Sequence, residues 1–178
     1  GNDFNFVEQT LVASDVRVFP NSYGDFDLDG DIDIAAVEES SGSLVILENT
    51  TTTVGGTIAL GESAGFTGLQ NPNSLTVGDF DNDGDTDIAV ADTEDVSDGK
   101  SKVFVYTNTT TRKSISFSTP PLSFDVPRFP SSITTGDFNE DGLLDLVVTP
   151  LYDNNASILP NNTSGSISFG AVISFGVN

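Results

Sequence analysis

Three stretches of the chain place oxygen-bearing side chains on alternate residues, a spacing that suits a hard divalent cation. At the first, third, fifth, seventh and ninth positions the first stretch carries Asp25, Asp27, Asp29, Asp31 and Asp33. The second carries Asp79, Asp81, Asp83, Asp85 and Asp87, and the third Asp137, Asn139, Asp141, Leu143 and Asp145. Hard divalent cations take six to eight oxygens at about 2.3–2.6 Å, and a tight loop with alternate side chains turned inward supplies them without helices. Gly30, Gly84 and Gly142 hold the sixth position, where the sharp turn disfavours a Cβ. The seventh position offers its backbone carbonyl, so Leu143 can stand where Asp31 and Asp85 stand. Four carboxylates within nine residues repel one another unless a counterion lies among them. Ca²⁺ fits better than Mg²⁺, which demands a tighter octahedron. The chain has no His and no Cys, which removes the usual zinc and copper ligands. Three Ca²⁺ sites are therefore expected, the third weakest because Asn139 replaces a carboxylate. An EF-hand would need Glu at the twelfth position and flanking helices; Ala36, Val90 and Val148 stand there, so that reading fails.

The loops must be held by a repeated scaffold, and the repeat is visible. GDFDLDGDIDIAAVE begins at Gly24, GDFDNDGDTDIAVAD at Gly78 and GDFNEDGLLDLVVTP at Gly136, with leading aspartates 54 and 58 residues apart. Pro20, Pro72 and Pro130 open a short segment before each loop. The first unit is two residues shorter there, which preserves side-chain alternation and predicts a shortened first strand. After each loop, residues 33–37, 87–91 and 145–149 are nearly continuous in Ile, Val, Leu and Ala, as in strands covered on both faces. SLVILENTT, KVFVYTNTT and ASILPNNTS give a third segment, and TIAL at 57, SISF at 114 and SISF at 166 a fourth. No helical period intervenes.

The expected fold is all-β: three four-stranded blades of the β-propeller type, with a sandwich as the plainer alternative. The whole of 1–178 reads as one array, with units at approximately 7–60, 61–117 and 118–169. A spare outer-strand segment at 1–6 and a C-terminal segment at 170–178 complete it.

These loops and the strands after them resemble FG-GAP/VCBS repeats, as in integrin α-subunit propellers and many secreted bacterial proteins. The resemblance implies a structural Ca²⁺ in the hairpin between the first and second strands of each blade. Three units fall short of the about four to eight blades that close a propeller. The segment NDFNF at 2–6 matches the fourth pieces, so an unpaired strand is expected to template self-association, by strand complementation or blade stacking, into a ring or filament.

The formal charge of −21 opposes nucleic acid and anionic lipid as partners. No run approaches the roughly 18 apolar residues of a membrane span, and no basic-apolar-small leader pattern opens the chain. Gly1 in place of Met predicts a processed or excised end. Asn49, Asn108 and Asn162 stand in N-x-S/T triplets at the end of the third segments and are candidate glycan acceptors, with Asn155 and Asn161 as further matches and O-linked sugar on Thr50 to Thr53 and Thr109 to Thr111 an added option. Glu38, Glu39, Glu62 and Glu94 form no spaced pair of the glycosidase kind, so no enzyme is read here. An extracellular calcium-binding module for adhesion or assembly is the leading expectation. The alternatives are a glycan- or protein-binding propeller, with Tyr23, Tyr106 or Tyr152 as contacts, and an appendage of a glycan-active enzyme.

Overall fold

In the computed structural model, which describes residues 22–93, 100–111 and 113–176, each acidic loop closes the hairpin between the first two strands of a four-stranded antiparallel sheet. The first sheet comprises β1 (Ser22–Gly24), β2 (Asp33–Glu38), β3 (Ser43–Asn49) and β4 (Leu60–Thr67). The second comprises β5 (Pro72–Gly78), β6 (Asp87–Asp92), β7 (Lys100–Tyr106) and β8 (Leu122–Pro127). The third comprises β9 (Pro130–Gly136), β10 (Asp145–Pro150), β11 (Asn155–Leu159) and β12 (Ile173–Gly176). Within each sheet the strands lie in chain order, and none of the sheets closes into a barrel. These are propeller-type blades.

Burial follows from the stacking. In β6, Ile88 and Val90 face the first blade, where they join Phe26, Val37, Leu44 and Ile46. The alternate residues Ala89 and Ala91 face the third blade with Val103, Leu146 and Val148. Every residue of β6 is buried, as a strand covered on both faces requires. Among the described residues the third blade meets a neighbour on one side, and in β10 Thr149 is exposed. Phe26 and Phe80, second in their loops, are fully buried and meet Phe117 and Phe169 edge-on at ring-centroid distances of 6.0 Å and 5.9 Å. Aromatic truncation at such a site costs about 3–5 kcal/mol.

The second and third strands lie where the hydrophobic runs put them, but the fourth does not. The pieces TIAL and SISF are not outer strands. Asn108 bridges Phe117 and Asn161 bridges Phe169 through isolated pairs, so SISF folds back against the end of the third strand. Its Phe enters the core. The outer strands β8 and β12 follow several residues later, and in the first blade only Leu60 of TIAL belongs to β4. Each SISF piece places an isoleucine and a phenylalanine against the core, Ile115 and Phe117 in the second unit and Ile167 and Phe169 in the third, without a second full ladder. The N-terminal segment 2–6 and Pro20 lie outside the described residues, as does Glu94. Among the described residues no helix is long and apolar enough to cross a membrane.

Candidate metal centre

The loops are built by their own carboxylates before any ion enters. In the first, Asp25 accepts the Asp29 and Gly30 backbone N–H groups at 3.0 and 2.9 Å. Asp29 accepts the Asp31 N–H at 2.9 Å. Asp33, at the ninth position, accepts the N–H of Phe26 at 2.9 Å and of Asn49 at 2.8 Å. That carboxylate ties the start of the loop to the end of β3. The pattern recurs. Asp79 accepts from Asp83 and Gly84, and Asp87 from Phe80 and Asn108. In the third loop Asp137 accepts from Asp141 and Gly142, and Asp145 from Phe138 and Asn161. Each carboxylate oxygen keeps a second lone pair for a cation.

Two positions per loop require a left-handed backbone. Gly30, Gly84 and Gly142 have φ of 99°, 97° and 87°, and Leu28, Asn82 and Glu140, at the fourth position, have φ of 62°, 59° and 61°. The fourth-position requirement is not legible from the acid spacing. Asn tolerates that conformation better than Glu. Glu140 is exposed, and Glu140→Asn is expected to stabilise the fold by about 0.5–1 kcal/mol; a lowered melting temperature would contradict the strain argument.

The carboxylates converge. Oxygens of Asp25, Asp27 and Asp29 lie within 4.8 Å of one another, as do those of Asp79, Asp81 and Asp87. Asp27 and Asp87 are buried, and burial raises the carboxyl of Asp27, with Asp29 beside it adding to the rise. Burial likewise raises Asp33, Asp81 and Asp85, and pushes Asp87 up to about 7. Asp81 has a buried Oδ1 with no hydrogen-bond partner, a cost that a cation would remove. Hard oxygen donors, convergent charge and an orphaned acceptor fit Ca²⁺. Asp29 runs the other way: the Asp31 N–H and then the Lys113 ammonium, 3.2 Å away, hold its carboxyl down. Asp31 and Asp83 stand outside the two converging trios. The third loop departs further, because Asn139 donates its amide to Asp141 at 2.8 Å and supplies no charge.

The sign of the pH dependence follows from Asp87. Its folded-state value is raised, from 3.8 to about 7, so its contribution in metal-free protein is complete below the unfolded value and is lost as the pH climbs through the folded one. In chelator, the melting temperature is therefore expected to fall between roughly pH 4 and pH 7. Asp87→Asn should flatten that segment of the profile, and an unchanged slope would contradict the assignment.

Asparagine at the end of the third segment has a role the triplet pattern concealed. Asn108 Nδ2 donates to the carbonyls of Thr86 and Phe26 at 3.2 Å each, the second across to the first blade. Asn161 repeats this with Leu144 in its own blade and Phe80 in the second. Asn49 donates to Ile32. The Oδ1 atoms accept the N–H two residues on, in Asx turns. The repeat equivalent of Asn49 and Asn108 is thus Asn161 and not Asn162. Asn108 and Asn161 are buried, and the nitrogen that a glycan would occupy is engaged and enclosed, which corrects the reading of Asn108 as an acceptor. Asn162 is exposed and Asn49 half-buried. Of the tyrosines, Tyr23 and Tyr152 are exposed, whereas Tyr106 is buried against Phe66 and cannot serve as a surface contact.

Blades of this topology, each with an acidic loop in its first hairpin, define a propeller-type repeat array. The FG-GAP-like repeat family matches residues 25–90 and 79–148, and the FG-GAP repeat matches residues 129–168. The chain belongs to the FG-GAP-like repeat family. No curated protein matches it.

Proposed function

We propose that the chain is a non-catalytic, extracellular, calcium-binding module used for adhesion or for building an extracellular assembly. The observation that carries this reading is the convergence of desolvated carboxylates at one position in successive blades, with the Asp81 acceptor left unpaired. In the bound state Asp25, Asp27 and Asp29 would hold one ion and Asp79, Asp81 and Asp87 another. Asp33 would support the first loop, and Asp83 and the carbonyls of Asp31 and Asp85 would complete the shells. Asp137, Asn139, Asp141, Asp145 and the Leu143 carbonyl would form a weaker third site. The ion supplies charge neutralisation and cross-links the hairpin. Extracellular calcium, near millimolar, fills even weak sites of this kind.

Titration calorimetry tests the reading. Three Ca²⁺ per chain are expected, with the weakest site abolished by Asp141→Ala and Mg²⁺ a poor competitor; no heat with Ca²⁺ would sink the proposal. A second reading, glycan or protein recognition, has one observation in its favour. Asn71, Asn73, Thr93, Phe129 and Tyr152 line a cleft of about 210 Å³, where exposed Tyr152 meets Phe129 edge-on at 5.4 Å. Amides beside an aromatic ring suit a sugar face. Binding on a glycan array that disappears in Tyr152→Ala would favour it. Glycosylation is proposed at Asn162, and intact mass checks it.

A further inference from the structure

The two blade interfaces within the chain are made by the same three contacts, and the halves of a third such interface stand exposed at opposite ends. At each internal interface, the later blade supplies an asparagine that donates to the earlier blade's loop phenylalanine carbonyl: Asn108 to Phe26 and Asn161 to Phe80. It supplies an eighth-position side chain that closes on the glycine before the earlier loop. A Cβ built on Gly24 would lie 3.0 Å from Thr86 Cγ2, and one on Gly78 would lie 2.7 Å from Leu144 Cδ1. It also supplies the ring, Phe117 or Phe169, that covers the earlier Phe26 or Phe80. In the first interface, the backbone N–H of Lys113 further donates to Asp27 at 2.6 Å.

Among the described residues, the third blade carries the receiving half with no partner blade on it. Phe138 is the repeat equivalent of the fully buried Phe26 and Phe80, yet it is 53% exposed. The three atoms nearest a Cβ built on Gly136 all belong to the Phe138 ring of the same loop. The first blade carries the donating half. Asn49 occupies the position of Asn108 and Asn161, and its pairing with Leu60 matches their pairing with Phe117 and Phe169. Asn49 Nδ2 bonds Ile32 within its own blade and retains the hydrogen that Asn108 and Asn161 direct across the interface. Ile32, at the eighth position, is 53% exposed, and Ile58 beside Leu60 is exposed as well. Apolar side chains left in water at the donating end, and an uncovered phenylalanine at the receiving end, are the two sides of one missing contact.

We infer that the first blade of one copy docks on the third blade of a second copy, with Asn49 donating to the Phe138 carbonyl, Ile32 seated on Gly136, and Leu60 against the Phe138 ring. The occupant is a second copy because this chain itself presents both halves, and the join continues an interface the chain already makes twice. The contact is head-to-tail, so it propagates into a line or closes into a ring according to the rotation between copies. It deepens the assembly part of the proposed function by naming the partner and the surface, and it requires an unmodified Asn49, which intact mass verifies.

The chain contains no cysteine, so engineered thiols report the contact directly. Ile32→Cys protein and Gly136→Cys protein, distinguished by tags, are mixed in calcium-replete buffer and oxidised. The expected product is a cross-linked heterodimer in large excess over either homodimer. Wild-type protein is expected to sediment above the monomer mass, and Asn49→Ala to raise the apparent dissociation constant about tenfold or more, as loss of a buried hydrogen-bond partner does. Statistical cross-linking, or a wild-type monomer at all concentrations, overturns the inference. Melting curves with and without chelator on the same samples separate the two claims. A calcium-dependent melt without heterodimers rejects this interface alone, whereas heterodimers with a calcium-insensitive melt reject the metal reading and leave the interface standing.

Discussion

Removing calcium is expected to lower the melting temperature by roughly 15–30 °C, the largest change that any single treatment should produce. A ligand present at about 100 times its dissociation constant stabilises a fold by about 2.7 kcal/mol, so three filled sites together contribute about 8 kcal/mol. For a chain of this size each kcal/mol moves the midpoint by about 2–4 °C. The physical source is the set of carboxylates that burial leaves short of solvent: Asp27 and Asp87 are enclosed, and Asp81 has an acceptor atom with no donor. Without an ion, Asp27 and Asp87 are held by backbone N–H donors, and the Lys113 ammonium reaches the neighbouring Asp29 instead. Scanning calorimetry in excess EDTA, with Ca²⁺ re-addition, measures the difference. Asp83→Ala should reproduce a part of it, since it touches one loop. An identical melt in EDTA would refute the calcium assignment for all three loops.

The second large effect belongs to Asn108. Asn108→Ala removes two donors and one acceptor at a buried position, leaving the carbonyls of Phe26 and Thr86 and the N–H of Thr110 without their partner. Each orphaned buried group costs about 1–3 kcal/mol, so a loss of about 3 kcal/mol or more is expected. The control is built into the repeat. Asn49→Ala, at the equivalent position, removes one bond to Ile32 and one Asx turn at a less enclosed site, and a loss below about 1 kcal/mol is expected in dilute, unassembled protein. Denaturant melts of the two variants give the comparison. Equal losses would mean that Asn108 acts only within its own blade and that the bond to Phe26 is energetically silent.

The acidic loops were legible in the sequence because such a loop is local: alternate acids, a glycine and a ninth-position acid fall within nine residues. The strands after the loops were legible because continuous Ile, Val and Ala have no other home than a sheet covered twice. The fourth strands were not. TIAL and SISF have the alternation of a strand, but Phe117 and Phe169 are placed by contacts with Phe26 and Phe80, which lie far away in the chain, and local pattern carries no record of that. The asparagines misled for the same reason. An N-T-T triplet is the same text whether its amide faces water or a carbonyl in another blade. The left-handed fourth position was hidden because Leu28 and Glu140 are residue types that do not advertise it.

The cover given to each loop by the blade that follows it also sets how ions travel. An ion held in the first loop would lie beneath Lys113 and Asn108 of the second blade, and one in the second beside Asn161 of the third. The third loop faces water. In the unassembled chain exchange would therefore run as a queue: an ion in the third loop trades with solvent freely, and those behind it leave only when a neighbouring blade lifts away.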